Sequence, residues 1–252
     1  MTTKRELLQK LLKGIETGDA ESAAVVNEEK YIQHNPQTHE GSEGLAVLFK
    51  RLSKTNPRVS FIRVFEDGDF AFAHNEYDFS TLRVAFEVFR FEDGKAVEHW
   101  DNIQKMEGPS PSGRAMLSGP TEINDLHKTE VNRAHVRAFV DRVLIAREYS
   151  AMATFVAEDM HQHSPAIADG RAAYVSSLKD VHDGTESIRY NALHMVLAEG
   201  NFVLSISEGH RQGIHTSFYD LFRISGGVIV EHWDTVEAIA PKEMWKNQNG
   251  KF

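Results

Sequence analysis

The chain has no cysteine. That excludes a disulfide framework, a thiolate metal site, an iron–sulfur cluster and a cysteine nucleophile. It also has no apolar run near the roughly 20 residues that span a bilayer. Its first residues, MTTKRELLQK, lack the apolar core of a secretory leader. The expectation is therefore a cytoplasmic protein without a membrane partner. Positive charge is scarce, since 28 Lys and Arg against 37 Asp and Glu leave a net charge of −9. Phosphate backbones are held by clustered cations, so nucleic acid is not an expected partner. No Gly-rich phosphate loop and no Ser–His–Asp order is present. What remains is a globular composition, 41% hydrophobic and 26% charged over 252 residues, long enough for two domains of the usual size.

The chain repeats itself. EHWD stands at 98–101 and again at 231–234, and YIQHNP at 31–36 parallels MHQHSP at 160–165. Between these anchors the order of features is kept. GSEGLAVLFKRL and GRAAYVSSLKDV each follow the anchor with a glycine and a helical pattern. EDGDFAF and AEGNFVL are acidic-Gly turns between apolar runs, and VFRFEDGKAVEHWD and LFRISGGVIVEHWD read as hairpins. Repetition at a nearly constant offset means two copies of one domain. Residues 105–120, KMEGPSPSGRAMLSGP, have linker composition. The expected division is copy one at 1–107, a linker at 108–120 and copy two at 121–252.

Within each copy, helical spacing gives way to strand alternation. Leu7, Leu8, Leu11, Leu12 and Ile15 share a helix face that stops at Gly18, and Asp19 to Glu29 suggests a second helix. VSFIRVF, DFAFAHNEYDF and VAFEVFRF alternate as strands. Helices followed by hairpin-linked strands predict an α+β fold, with helices on one face of a curved, mostly antiparallel sheet that encloses a pocket.

The final hairpin carries the chemistry. With a three-residue turn at Glu92-Asp93-Gly94, Glu87 faces His99, and Asp101 shares their side beside Phe89 and Val97. In copy two Asp220 faces His232, and Asp234 shares their side beside Phe222. On the opposite face Phe86 meets Trp100 and Tyr219 meets Trp233, which predicts that the two sheets pack face to face as an intrachain pseudo-dimer. Arg90 and Arg223 fall on that outer face, opposite Glu98 and Glu231. A two-residue Asp-Gly turn is the competing register. It would turn Glu87 away, because a one-residue slip reverses every side chain. Two carboxylates in a poorly solvated cavity do not both ionise easily. One that keeps its proton can donate to a developing oxyanion while its neighbour acts as a base. The plainer alternative has the acids simply paired with histidine or arginine.

At EHWD and YIQHNP the sequence resembles the SnoaL-like polyketide cyclases of the nuclear transport factor 2-like superfamily, over most of both copies. The resemblance implies a cone of three helices on a curved mixed sheet. It also implies a small-molecule substrate, no metal, no organic cofactor, and intramolecular aldol closure with an aspartate as acid/base. That aspartate corresponds to Asp101 and Asp234. The cyclases carry a pocket histidine fourteen positions earlier, where this chain has Glu87 and Asp220. An acid there resembles the oxyanion-hole aspartate of ketosteroid isomerases. Isomerisation and dehydration therefore join aldol closure as expected reactions, and a non-catalytic ligand-binding or assembly pair is the alternative.

Further expected pocket residues are His34 and His163 as donors or bases, with His74, His99, His232, Phe89 and Phe222 contacting substrate. Asn35 and Gln162 are neighbours without a signal of their own. The aligned partner of His74 is Ile206, which suggests that only one copy is active. The H-x-H of His161 and His163 reads as a helix exit rather than a metal site, and His210 and His215 read as solvated. Further oligomerisation stays open.

Overall fold

The computed structural model describes residues 2–252. The first copy contains α1 (Lys4–Thr17), α2 (Ala20–Ala23), β1 (Ile32–Gln33), α3 (Gly41–Leu52), β2 (Arg58–Asp67), β3 (Phe70–Asp78), β4 (Leu82–Glu92) and β5 (Lys95–Lys105). The second contains α4 (Thr129–Phe139), α5 (Met152–Phe155), β6 (Val156–Gln162), α6 (Arg171–Leu178), a small ribbon of β7 (Val181–His182) and β8 (Thr185–Glu186), then β9 (Ile188–Glu199), β10 (Phe202–Arg211), β11 (Ile214–Ser225) and β12 (Val228–Ala238). Each copy builds one five-stranded mixed sheet, ordered β1-β5-β4-β3-β2 and β6-β12-β11-β10-β9. The architecture is α+β, twice. Among the described residues no helix is long and apolar enough to cross a membrane.

Local chemistry explains the helices. Thr3 and Glu6 form a reciprocal capping box on α1, and Gly18 closes it at φ 70°, a left-handed conformation that glycine adopts without steric cost. Leu8, Leu11, Leu12 and Ile15 are buried and join Ala71, Ala73, Ala85 and Phe89 of the sheet in one core. The expected helix over 19–29 is shorter. It ends after Ala23 because Val25 O and Asn27 N bond to Ala96 of β5 instead. In copy two α4 continues as a wide turn through Val140–Ile145, and its buried stripe runs through Val136, Phe139, Val140 and Val143. Val131, near the start of α4, is exposed.

The hairpin register combines both expected alternatives. The β4–β5 turn has two residues, Asp93 and Gly94, both at positive φ, with Glu92 opposite Lys95. A bulge then inserts Val97, so that Arg90 faces Glu98 and Phe89 faces His99. The second copy repeats this with Gly226-Gly227 and an extra Val230. One extra residue reverses the alternation once more, and the acids still point toward the helices. The partners differ from those expected: Glu87 lies opposite Asp101 and Asp220 opposite Asp234, while Trp100 faces Val88 and Trp233 faces Leu221.

Packing divides the chain differently from the repeat. One compact unit comprises residues 1–106 with 240–252, and the other residues 107–239. The segment with linker composition is fastened to unit two. Arg114 Nε meets the Asp169 carboxylate at 2.8 and 3.1 Å, and Trp233 Nε1 donates to Ser118 O at 2.8 Å. The final segment is fastened to unit one, where Lys246 N donates to Pro36 O at 2.7 Å and Asn247 Nδ2 to Asn35 O at 2.8 Å. Each unit thus holds a strap that follows the last strand of the other copy.

Candidate active site

In unit one, β4 and β5 bring Glu87, Phe89, His99 and Asp101 to the helix-covered face. His99 lies flat on Phe89, with ring centroids 4.3 Å apart. Its Nδ1 meets Gln33 Oε1 at 2.7 Å and its Nε2 meets Glu87 Oε2 at 2.7 Å. Asn35 N–H also donates to Gln33 Oε1, at 2.9 Å, which fixes that atom as an acceptor. His99 Nδ1 is therefore placed to donate to Gln33 Oε1, while Nε2 faces the Glu87 carboxyl. Tyr77 donates to the other Glu87 oxygen at 2.7 Å. Burial pushes the Glu87 carboxyl up and the Asp101 charge adds to this, while His99 and Tyr77 pull it down, with a net rise. Asp101 is fully engaged: Asn35 Nδ2 donates to Oδ2 at 2.5 Å, and Lys251 Nζ, itself buried, lies 3.3 Å from Oδ1.

Unit two has the same plan with a different finish. His232 is stacked between Phe222 at 4.9 Å and Tyr174 at 5.3 Å. Its Nε2 meets Asp220 Oδ1 at 2.9 Å and its Nδ1 meets Gln162 Oε1 at 2.9 Å. Tyr190 donates to Asp220 at 3.2 Å. Among the described residues no lysine pairs with Asp234, which takes a hydrogen bond from Ser164 instead. Its Oδ1, the Tyr174 hydroxyl and Gln162 Nε2 are buried without a hydrogen-bond partner among the described residues. Burial pushes the Asp234 carboxyl up and Asp220 adds to this, against a downward pull from His232. Burial and the two aspartates push the Tyr174 hydroxyl well above its ordinary value, so it remains a donor.

Three expected site residues lie elsewhere. β1 pairs in parallel with β5, Gln33 against His99, so Gln33 points inward and the next residue, His34, points outward. His34 stacks on Trp100 at 4.7 Å and bonds Glu98 at 3.0 Å; burial lowers its proton affinity. His163 likewise stacks on Trp233 at 4.7 Å and bonds Glu231 at 2.8 Å. Ala73, not His74, sits opposite Glu87. His74 is on the other face, stacked on Phe86 at 4.4 Å and 3.1 Å from Arg63. The outer-face ion pairs form as expected, Arg90 with Glu98 and Arg223 with Glu231, each at 2.8 Å.

Sequence reading missed Tyr77, Tyr174, Tyr190, Gln33 and Lys251. Gln33 aligns with Gln162, each one residue before the repeated histidine, so only the repeat links them. The phenols lack even that link, because the copies place them on different strands. Tyr77 of β3 stands opposite Val59 of β2, whereas Gly209 of β10 stands opposite Tyr190 of β9. The exchange conserves a phenol on the acid while hiding it from alignment.

Each triad, Glu87–His99–Asp101 and Asp220–His232–Asp234, offers one imidazole and two carboxylate atoms within 4.8 Å of one another. A metal could be held there, but every imidazole nitrogen already has a partner, and in unit one an ammonium already neutralises Asp101. A surface groove lined by Tyr149, Met152, Glu158, Arg171 and Val175 includes none of these acids.

The sequence profile of the SnoaL-like domain matches residues 8–99 and again 136–232. Among solved structures, similarity is found to a candidate ketosteroid isomerase from Kribbella flavida, 20% identical, covering 45% of this chain and 84% of its own, TM-score 0.38. A candidate polyketide cyclase from Bacillus cereus is 20% identical, covering 39% and 72%, TM-score 0.36. An LEH-like epoxide hydrolase from M. tuberculosis is 15% identical, covering 44% and 85%, TM-score 0.35. No curated protein matches the sequence.

Proposed function

Because the chain belongs to the SnoaL-like family, with one family domain in each half, we propose that unit two is a cofactor-independent acid/base enzyme acting on a small, largely apolar carbonyl compound. The observation that carries this is the unpaired, buried Asp234 Oδ1, with raised proton affinity, beside the paired Asp220 and His232. Protonated Asp234 and the Tyr174 hydroxyl donate to the carbonyl oxygen. Asp220, oriented by His232 and Tyr190, takes the α-proton. The enolate then isomerises, closes onto a second carbonyl, or expels a β-hydroxyl group. Unit one is the structural partner, since Lys251 and Asn35 already satisfy Asp101.

The test is α-proton exchange in deuterated water, followed by NMR on small ketones and β-diketones. Acceleration by the whole protein is expected, and its absence across the series sinks the reading. Tyr174→Phe keeps the ring on His232 but removes a donor from the carbonyl oxygen. It should lower the exchange rate by about 10²-fold, the low end of the range for removing one oxyanion donor. An unchanged rate removes Tyr174 from the site.

A further inference from the structure

Two further hydroxyls stand on the helix-covered face of the unit-two sheet. Ser205 and Ser207 of β10 are fully buried, and neither Oγ has a hydrogen-bond partner among the described residues. Their direction follows from the register. Ser205 lies opposite Asp220 and Ser207 opposite Phe218, and residues two apart on a strand share a face. Val203, one step earlier on that face, joins the core with Val136 and Phe139 of α4. On the other side the strand neighbours are Val196 and Leu193 of β9, whose side chains offer no polar atom. A buried hydroxyl without a hydrogen bond is rare and costly. Here the state is shared with Gln162 Nε2, the Tyr174 hydroxyl and Asp234 Oδ1.

The internal repeat shows that the fold does not require a hydroxyl beside the acid. In unit one Ala73 lies opposite Glu87, in the place that Ser205 takes opposite Asp220. The ladder of unit two sets three groups in a row. Asp234 of β12 pairs with Asp220 of β11, and Asp220 pairs with Ser205 of β10. Neighbouring strands are about 4.8 Å apart, so the backbones at Asp234 and Ser205 are separated by roughly 10 Å, with Asp220 between them.

We propose that Ser205 and Ser207 form a second polar subsite in unit two, which selects carbonyl compounds that carry a distal hydroxyl group. The proposal rests on the acid/base reading of Asp234 and Asp220. The reacting carbonyl lies at Asp234 and Tyr174, its α-carbon lies over Asp220, and the distal hydroxyl reaches the serines at the far end of the row. A substrate hydroxyl satisfies both the donor and the acceptor side of a serine, whereas a second carbonyl satisfies the donor side alone. A site whose buried polar groups need a substrate hydroxyl discriminates against the analogue that lacks it. Ser205 and Ser207 therefore set specificity and take no part in the proton transfer.

The test compares cyclohexanone with 4-hydroxycyclohexanone, which differ in the distal hydroxyl alone, by α-proton exchange with the full chain in deuterated water. The wild type should favour the hydroxyketone in kcat/KM by about 10-fold, and the double variant Ser205→Ala/Ser207→Ala should bring that ratio to about 1. Without ketone, each single serine variant should melt at or above the wild-type temperature, because alanine removes an unsatisfied polar group. A lower melting temperature shows that the hydroxyl is bonded within the fold and overturns the proposal. If neither ketone exchanges, the acid/base reading fails by itself. The subsite is then read from the rise in melting temperature at equal ketone concentration, which should be larger with the hydroxyketone and equalised by the double variant. Equal responses of the wild type to the two ketones, as a water held at the serines would give, overturn the proposal. So does a preference that the double variant keeps.

Discussion

Asp234→Asn should abolish most α-proton exchange, by about 10²–10⁴-fold, the range for a positioned acid/base group. The amide still donates a hydrogen bond but cannot transfer a proton. The same change should stabilise the protein on the alkaline side. Burial makes the folded carboxyl hold its proton more tightly than the unfolded chain does. The resulting stability is complete below the ordinary aspartate range and is lost as pH rises through the raised folded value. Beyond that value the wild type carries a buried charge and the Asp234→Asn variant does not. Exchange should therefore fall, and the wild-type melting temperature with it, over one pH interval, while the variant's melting temperature falls less, through Glu87 alone of the two raised acids. Asp101→Asn should reduce exchange by less than about 3-fold, because Lys251 and Asn35 already occupy that carboxylate; ratios far below those for general acid/base groups mark a spectator. Equal losses from Asp101→Asn and Asp234→Asn would contradict the division between the units.

Gly209→Ala should be the most damaging single methyl in unit two. A Cβ there would stand 1.8 Å from Arg189 O and 3.1 Å from the Phe218 ring. The obstruction is backbone, so β9 and β10 must part. That breaks the ladder beside Tyr190, which holds Asp220. Strain of this kind inside a packed core is expected to cost about 3 kcal/mol or more, read as a fall in the urea midpoint. Tyr77, at the matching position of unit one, is buried where β2 and β3 pair without a register shift, whereas β9 shifts register between Glu208 and Gly209. A stable Gly209→Ala protein would show that the strands separate easily there, and Tyr190 would lose its assigned role as a fixed donor.

Much of this could be read from residue order alone. Gly18 stops α1, and the period switch from helix to strand marks the sheets. The EHWD repeat sets acids inward and tryptophans outward, because alternation is a local property of a strand. The turn at Asp93-Gly94 was also local, but the bulge at Val97 was not. Either turn length satisfies the sequence, and only the packed sheet selects two residues plus an insertion. His34 and His163 were misplaced for a related reason. Which side of β1 or β6 faces inward depends on its parallel register with β5 or β12, a non-local contact.

The sequence by itself determined the duplication, the α+β class and the pairing of acid, imidazole and aspartate in each half, since these follow from periodicity and repetition. Tertiary structure alone decided how the two acid clusters differ. Lys251 is 150 residues from Asp101, and Tyr174 replaces a leucine without any motif. Folding brings an ammonium to one aspartate and leaves one oxygen of the other buried without a partner. Desolvation acts on spatial neighbours, and residue order does not list them.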